Sequence, residues 1–228
     1  MLPRVLEPEV METPEEARAY DAMDFSAVNA AFVADLLAAL DRSGFVPQPN
    51  RSVLDVGTGT ARIPLEFCRK AAWGLVTAID LSPAMLEIAR ENVAAAGAAE
   101  RITLRQTTST PLVQAGERFD VVMSNSLMHH VADAAGLLEE LARLVAPGGA
   151  LFVRDLMRPE SAQAIEDLVL LHAGGDTPHQ QQLFRQSLAA ALTLDEVWEI
   201  ASELPWETSV ELTSDRHWTL VGRRASKS

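Results

Sequence analysis

The sequence predicts a single α/β domain, built as a doubly wound and mostly parallel sheet with helices on both faces. Short apolar runs alternate with helix-period segments from residue 51 onwards, which is typical of repeated βα units. The 228 residues are enough to bury one full-sized core and rather few for two independent domains. We therefore expect one structural domain, with residues 1–50 as a helical N-terminal cover and residues 51–228 as the core.

The N-terminal cover is predicted to contain two helices. Thr13 and Pro14 supply a helix-capping residue and a proline at the first helical position, and two glutamates follow in the first turn. A second helix begins at Ser26, because apolar residues then recur at intervals of three and four and fall on one face. The stretch 47–50 contains two prolines and ends the cover.

The core is predicted to alternate strands with helices and to close with a hairpin. Strands are predicted at 52–56, 75–79, 102–106, 119–124 and 150–154, and helices at 61–70, 83–96, 136–144, 162–173 and 194–202. Pro147, Gly148 and Gly149 are expected to stop the helix before the fifth strand. A polar segment at 174–186 joins the last two helices. Two β-rich runs, 207–212 and 217–223, indicate the antiparallel hairpin.

The composition favours a cytoplasmic protein without a nucleic-acid or membrane partner. A formal net charge of −13 should repel phosphate backbones and anionic membrane surfaces. The single cysteine, Cys68, excludes an intrachain disulfide and a thiolate metal cluster, which is typical of a reducing compartment. The N-terminus lacks the pattern of a signal peptide, and no window approaches the roughly 18 apolar residues of a membrane span.

A glycine-rich turn follows the first strand, at Gly57 and Gly59. Glycines here permit a tight turn and let a ligand approach the backbone, beside the unpaired N–H groups that begin the next helix. Such a turn alone fits a nucleotide-like ligand and a plain βα connection equally well. Asp80, about 20 residues further on, is placed to accept hydrogen bonds from both ribose hydroxyls of a nucleoside. The alternative is that Asp80 only caps the helix that begins at Pro83.

Four successive motifs resemble those of class I S-adenosylmethionine-dependent methyltransferases. They are Asp55-Val-Gly57-Thr-Gly59-Thr, Asp80-Leu-Ser-Pro-Ala-Met85-Leu, Phe119-Asp120-Val-Val-Met-Ser-Asn125 and Leu144-Val-Ala-Pro147-Gly148-Gly149. The resemblance implies a seven-stranded sheet whose last strand runs antiparallel, with S-adenosylmethionine as cofactor and S-adenosylhomocysteine as product. It also implies methyl transfer to a small-molecule acceptor, whose identity and reacting atom (carbon, nitrogen, oxygen or sulfur) the sequence leaves open.

The resemblance further implies a set of cofactor-binding residues. Gly57 and Gly59, with Thr58 between them, would pass under the methionine moiety, and Asp55 would orient this turn and the cofactor's amino group. Asp80 would hold the ribose hydroxyls. The remaining residues of the set are Leu81 and Met85 beside the adenine, Asn125 and Ser126 beside the methionine carboxylate and sulfonium, and Tyr20 at the carboxylate or the pocket entrance.

Three departures from known sequence motifs bear on how the adenine is bound and on which classes of enzyme are disfavoured. The family often places an acid after strand three, whereas Thr107, Thr108 and Ser109 stand here, so the adenine contact would fall to a hydroxyl such as that of Thr108 or to backbone. A dinucleotide site expects a third glycine where Arg62 stands, which disfavours an NAD-dependent oxidoreductase. The segment 124–127 lacks the Asn-Pro-Pro-Tyr type of motif found in nucleic-acid amino methyltransferases.

A general base could assist the transfer, although positioning the acceptor in line with the methyl group can supply most of the barrier reduction. The candidates are His129, His130 and Asp155, which follow strands at the cofactor edge, and His172. Adjacent histidines cannot both face one way, so packing is the alternative for this pair, and Asp155 could instead pair with a neighbour. The five histidines match no metal-ligand spacing, so no metal is predicted.

Residues 160–192 are predicted to form a lid insert, whose most polar part, 172–185, could instead be a solvated loop. The sequence leaves the oligomeric state open between monomer and homodimer. Two rival functions also stay open at this point. One is a regulatory or interaction module that binds S-adenosylmethionine without turning it over, and the other is the disfavoured NAD-dependent oxidoreductase.

Overall fold

The computed structural model describes residues 2–7 and 13–226, and a seven-stranded sheet runs through their centre. The strands are β1 (Arg51–Val56), β2 (Gly74–Asp80), β3 (Ile102–Gln106), β4 (Phe119–Asn125), β5 (Val145–Leu156), β6 (Thr208–Leu212) and β7 (His217–Arg223). Their spatial order is β3-β2-β1-β4-β5-β7-β6. Strands β1 to β5 pair in parallel, whereas β7 is antiparallel to both of its neighbours. The predicted fold class and the antiparallel last strand are confirmed.

Helices cover both faces of the sheet. Those in the described ranges are α1 (Pro14–Asp21), α2 (Ser26–Arg42), α3 (Arg62–Lys70), α4 (Pro83–Ala95), α5 (Ser109–Gln114), α6 (Ala134–Leu144), α7 (Ala162–Ala173), α8 (Pro178–Ala190) and α9 (Leu194–Ser202). Successive strand residues point to opposite faces. Val53 therefore packs into the core cluster with α2, α3 and α4, while Leu54 packs into the one with α5, α6 and α9.

Two helices were missed by the sequence analysis. Helix α5 is short and follows the threonines after β3, where no apolar periodicity marks it. Helix α8 lies in the segment predicted as a polar connection. Its start is a capping box, in which Thr177 and Gln180 exchange hydrogen bonds with each other's backbone N–H. The capping residues are present in the sequence, but the polar glutamines that follow them obscure the apolar periodicity of the helix.

Strand β5 begins five residues earlier than predicted. Helix α6 does end at Leu144, but the chain continues directly into the strand at Val145. The Pro147-Gly148-Gly149 stretch is therefore an irregularity within β5, where the register with β4 shifts between Phe119 and Val121. The additional residues of β5 accommodate a local bulge. The Pro147-Gly148-Gly149 pattern, which resembles a helix stop, therefore lies inside the strand and shapes its start.

Besides α2, which packs into the core cluster with α3 and α4, two other parts of the N-terminal cover contact the core. Helix α1 packs on α4, where Ala17 is buried against Met85 and Ile88. The described segment 2–7, which we call the N-terminal arm, lies along the end of α8 instead. Val5 donates its backbone N–H to the carbonyl of Ala189 at 3.1 Å. The cover is thus attached to the core through helices α1 and α2 and through the N-terminal arm.

None of the single helices in residues 2–7 and 13–226 is both long and apolar enough to cross a bilayer. Helices α1 and α2 meet that length and composition test only when taken together, and they are bent by 76° relative to each other.

Replacing Gly149 by alanine tests the tight start of β5. A Cβ there would lie 2.7 Å from the carbonyl oxygen of Asp120 and 2.8 Å from that of Ala146, and neither backbone atom can move freely. We expect Gly149→Ala to lower the free energy of unfolding by about 1–3 kcal/mol in urea denaturation. Gly175→Ala is the matched control, because a Cβ there meets nothing within 4 Å. Equal stability of the two variants would contradict this account.

Candidate active site

A cavity of about 910 Å³ opens at the carboxyl ends of β1, β2 and β4. The strand order reverses between β1 and β4, and open α/β sheets bind ligands at such a switch point. The floor is built from the ends of these strands and the turns that follow them. The connection between α1 and α2 contributes Met23 and Phe25 to the opposite wall, and the first turn of α2 contributes Asn29.

The glycine-rich turn after β1 forms one side of the cavity. Gly57 and Gly59 both have positive φ angles, +75° and +55°, which explains why glycine stands at these positions. The backbone N–H groups of Gly57 and Thr58 donate to the carbonyl of Ile79 at 3.0 and 2.9 Å, tying the turn to the end of β2. A Cβ on Gly59 would meet no heavy atom within 4 Å, so the space above it is open for a ligand.

Asp80 bridges the turn and the start of α4. Its Oδ2 accepts the backbone N–H of Gly59 and its Oδ1 accepts that of Ser82, both at 2.8 Å. The residue that caps α4 is Ser82, whose hydroxyl accepts the backbone N–H of Met85, and Asp80 supports the helix start by binding the N–H of this cap residue. Each carboxylate oxygen can accept a second hydrogen bond, and Asp80 lines the cavity, so the carboxylate can also accept hydroxyl donors from a ligand.

Asp55 is a buried carboxylate beneath the turn. Only 2% of the residue is exposed, and its Oδ2 has no hydrogen-bond partner in the described part of the chain. Burial raises the pKa of Asp55 to about 7, and the nearby charge of Asp80 adds to the shift. A carboxylate in this condition is stabilised by any cation that approaches it.

Every predicted cofactor-binding residue except Asp55 lines the cavity. These residues are Tyr20, Gly57, Thr58, Gly59, Asp80, Leu81, Met85, Thr108, Asn125 and Ser126. Asp55 lies directly behind them, in β1. Their roles toward a bound ligand stay predictions, but the fold brings the set to one cavity from five separate parts of the chain.

The three predicted catalytic residues are divided between the cavity and the interior. His130 lines the cavity, whereas His129 and Asp155 do not. The side chains of His129 and Asp155 are 4% and 1% exposed, and His129 Nδ1 lies 2.5 Å from Asp155 Oδ1. Because they face each other inside the protein, neither is placed to take a proton from a ligand in the cavity. Of the three residues, only His130 is placed to act as a base toward a ligand in the cavity.

Asp155 organises the turn that carries both histidines. Residues 128–130 form a single 3-10 turn after β4. Asp155 Oδ2 accepts the backbone N–H of Met128 at 2.5 Å and that of His129 at 3.3 Å. Burial alone would lower the pKa of His129, but the charge of Asp155 and the hydrogen bond to it raise that pKa above its ordinary value. The reverse interaction holds the pKa of Asp155 low despite its burial.

Several residues at the site were missed by sequence reasoning. Arg4 donates from Nη2 to the carbonyls of Met128 and Val131, both at 3.0 Å, and from Nε to the carbonyl of Ala190 at 2.6 Å. Glu7 Oε2 lies 2.9 Å from His130 Nδ1. The arm that carries Arg4 and Glu7 lacks periodicity, so nothing in the sequence indicated where it lies.

Glu140 supplies an acid near the position where strand three lacks one. It projects from α6, lines the cavity, and accepts hydrogen bonds from the hydroxyls of Ser109 at 2.5 Å and Thr110 at 2.8 Å. The amphipathic pattern of α6 gave no reason to single it out. The hydroxyls after β3 are thus oriented by a carboxylate from a different element.

Glu7, His129 and His130 form a cluster whose metal-binding atoms all lie within 4.8 Å of one another. Both histidines already have carboxylate partners, His129 in Asp155 and His130 in Glu7. The Arg4 guanidinium also donates to the carbonyl of His129 at 3.4 Å, which places a cation beside the cluster. Direct pairing accounts for the arrangement, and the absence of a metal stays a prediction.

The predicted lid lies outside the cavity wall in this structure. Helices α7 and α8 pack against each other around Val169 and Leu188, in a separate core cluster that includes Leu156. Among the described residues that line the cavity, none comes from 160–192. A lid function for this segment stays a prediction that would require it to move.

Asp155→Asn should destabilise the protein in a pH-dependent way. The raised pKa of His129 contributes stability that is fully present below about pH 6.5 and is lost as pH rises through the raised value. The lowered pKa of Asp155 contributes stability that is lost only in acid. We therefore expect Asp155→Asn to lower the free energy of unfolding by about 3–5 kcal/mol at pH values where Asp155 is ionised and His129 is protonated. The loss should be smaller at alkaline pH, where His129 is neutral. Urea denaturation at a series of pH values measures both losses.

Asp41→Asn, on the exposed face of α2, is the control for that experiment and should change stability by less than about 0.5 kcal/mol. A loss in Asp155→Asn that did not vary with pH would show that the carboxylate is not ionically paired.

Comparisons with known proteins identify relatives of this chain. A family model described as a methyltransferase domain matches residues 53–149. The ubiquinone biosynthesis O-methyltransferase of Brucella anthropi is 30% identical over 176 residues, which cover 74% of this chain and 69% of that protein. The enzyme of the same name from Sinorhizobium medicae is 33% identical over 144 residues, covering 62% of this chain and 56% of its own length. The match thus spans little more than half of that relative.

Solved structures share the fold at low sequence identity. A putative S-adenosyl-L-methionine-dependent methyltransferase of Methanococcus maripaludis has a TM-score of 0.70 and 16% identity, covering 98% of both chains. The plantazolicin methyltransferase BamL, in complex with a triazolic desmethylPZN analog and SAH, has a TM-score of 0.72 and 13% identity, covering 92% of this chain and 91% of that one. These similarities concern the fold alone.

Proposed function

This chain belongs to the class I S-adenosylmethionine-dependent methyltransferases, and from that membership we propose that it transfers a methyl group to a hydroxyl of an uncharged small molecule. The observation that carries the proposal is the cavity at the switch point, which combines the glycine-rich turn, the Asp80 carboxylate and His130. A base in the cavity favours turnover over a module that only binds the cofactor. The charge of −13 and the single Cys68 support a cytoplasmic enzyme that does not act on nucleic acid.

The cavity suits S-adenosylmethionine in size and in the chemistry of its donors. Asp80 has acceptor capacity for the ribose hydroxyls, and Gly59 leaves room for close approach to the backbone. Asp55 does not line the cavity, but its buried carboxylate lies behind the glycine-rich turn and, when ionised, favours the cationic amino group of the methionine moiety on the other side of that turn. When bound, S-adenosylmethionine supplies an electrophilic methyl group on a sulfonium.

The rest of the cavity suits a largely apolar acceptor. The side chains of Met23, Phe25, Leu127, Val131 and Leu137 contribute to its wall. A hydroxyl nucleophile is supported by two facts: curated relatives carry the name O-methyltransferase, and an unionised hydroxyl is the acceptor for which a base is most useful. Small apolar molecules bearing a phenolic or enolic hydroxyl are therefore the proposed acceptor class.

His130 is the proposed general base. It would take the proton of the acceptor hydroxyl while the acceptor oxygen forms a bond to the methyl carbon. The methyl–sulfur bond breaks and its electron pair remains on sulfur, so the products are the methyl ether, S-adenosylhomocysteine and a protonated His130. Positioning of the acceptor by the apolar wall supplies the other part of the rate enhancement.

Arg62 weighs against the NAD-dependent alternative. It stands where a third glycine would be needed and forms a bidentate pair with Asp21, at 2.8 and 2.6 Å. This pair ties α3 to α1 and occupies the space beside the turn with side chains. The same purified protein titrated with NAD should therefore give no binding heat.

Asp80→Ala tests the cofactor assignment. We expect the affinity for S-adenosylmethionine to fall by about 10- to 100-fold in calorimetric titration, because charge-assisted hydrogen bonds are lost. Ser82→Ala is the control, since it removes the side-chain cap on Met85 N–H and leaves the carboxylate in place. If both variants bind equally weakly, Asp80 acts through the helix start and not through the ligand. Absence of binding to the unmodified protein would refute the proposed function.

The raised pKa of Asp55 makes cofactor binding pH-dependent. Below about pH 7 the carboxyl is protonated and must lose its proton before its charge can favour an ammonium group in the cavity. Affinity should therefore increase with pH, by up to about tenfold per unit below the pKa, and level off above it. Calorimetry near pH 6.5 in buffers of different ionisation enthalpy should show proton release, and Asp55→Asn should abolish it. Identical heats in all buffers would contradict the assignment.

A further inference from the structure

The N-terminal arm lies directly on the turn that carries the proposed base. Arg4 binds the carbonyls of Met128 and Val131 on either side of His130, and the carbonyl of Ala190 at the end of α8. With a longer hydrogen bond to the carbonyl of His129 at 3.4 Å, four hydrogen bonds from one guanidinium fix the arm to two different parts of the chain. The attachment of the arm therefore does not depend on the side chain of Glu7.

Glu7 is buried at the point where it meets His130. Its side chain is 9% exposed and its Oε2 lies 2.9 Å from His130 Nδ1, while the His130 side chain is 40% exposed and lines the cavity. Burial alone would raise the pKa of Glu7, but the hydrogen bond from His130 keeps it below its ordinary value. Glu7 is therefore ionised and can only accept hydrogen bonds.

This geometry determines which ring nitrogen of His130 carries the proton. An ionised carboxylate at Nδ1 requires a hydrogen on that nitrogen. In the neutral ring the lone pair must then reside on Nε2, which is the form a general base needs if Nε2 faces the acceptor. Once the ring accepts a proton, the same carboxylate stabilises the imidazolium cation.

We infer that Glu7 is a positioning residue of the active site, which holds His130 in the Nδ1–H tautomer and stabilises its protonated form during turnover. The inference rests on the proposed function, in which His130 is the base. It makes the N-terminal arm a part of the catalytic apparatus, although the arm lies more than one hundred residues away in sequence from the turn it serves. The acceptors that would benefit are those with a protonated hydroxyl, such as phenols and enols.

The direct test is the tautomer of His130. In protein labelled with ¹⁵N-histidine, ring-nitrogen spectra at alkaline pH, assigned by comparison with His130→Gln, should show a protonated Nδ1 and a bare Nε2. Glu7→Gln keeps the shape of the side chain but can donate to Nδ1, so it should shift the population toward the Nε2–H form. Glu15→Gln, on the exposed side of α1, is the matched control and should leave the spectrum unchanged.

Turnover provides the second measurement. With a panel of phenolic acceptors, Glu7→Gln should lower kcat by about 10²-fold, which is the low end of what a base contributes, while Glu15→Gln matches the unmodified enzyme. The affinity of Glu7→Gln for S-adenosylmethionine, measured by calorimetry, should stay unchanged. Cofactor binding separates a failure of this inference from a failure of the proposed function, because Glu7 is not among the proposed cofactor-binding residues. If the unmodified protein does not bind S-adenosylmethionine, the proposed function fails. If it binds and Glu7→Gln has an unchanged kcat, only this inference fails.

Three results would overturn the inference. The first is an Nε2–H tautomer in the unmodified protein. The second is a Glu7→Gln variant with the spectrum and kcat of Glu15→Gln. The third is loss of turnover on treatment with a chelator and its recovery with Zn²⁺, because Glu7 and His130 would then be metal ligands together with His129.

Discussion

The geometry of the site depends on the ion pair and the hydrogen bonds that the buried carboxylate of Asp155 forms. Asp155 lies in β5, yet it fixes the turn after β4 through two backbone N–H groups and the ring of His129. An unpaired carboxylate at this depth would be costly, so its ion pair and hydrogen bonds must form together. Because the turn is held from inside, its outer surface is free to present His130 to the cavity and its carbonyls to Arg4.

Negative charge is concentrated beneath the cavity in a chain that is already acidic. Asp55 and Asp80 lie close enough that the charge of Asp80 adds to the raised pKa of Asp55. Such an arrangement opposes folding in the free protein and is relieved when a cation binds. The cofactor of this family carries both an ammonium and a sulfonium group. A positively charged ligand in the cavity would therefore be favoured by these two carboxylates.

The sequence predicted the parallel sheet and the cofactor cavity because both depend on local patterns. Apolar runs locate strands, and the residues at the strand ends, such as Gly59 and Asp80, meet wherever parallel strands end together. The polar helix α8 was missed because its glutamines obscure the apolar periodicity, and the early start of β5 was missed because Pro147, Gly148 and Gly149 resemble the end of a helix. Which of the two histidines faces the cavity also depends on contacts between distant parts of the chain. His129 is paired with Asp155 in the interior, and His130 is paired with Glu7.

Leu127 lies between the cavity and the glycine-rich turn, so the size of its side chain affects both. It lines the cavity, and its side chain lies against the turn so closely that a Cβ on Gly57 would be 3.0 Å from it. A larger residue at position 127 would press on the turn, whereas a smaller one would enlarge the pocket from within. Changes of side-chain size at position 127 are therefore asymmetric in effect, because the cavity can be enlarged there more readily than it can be reduced.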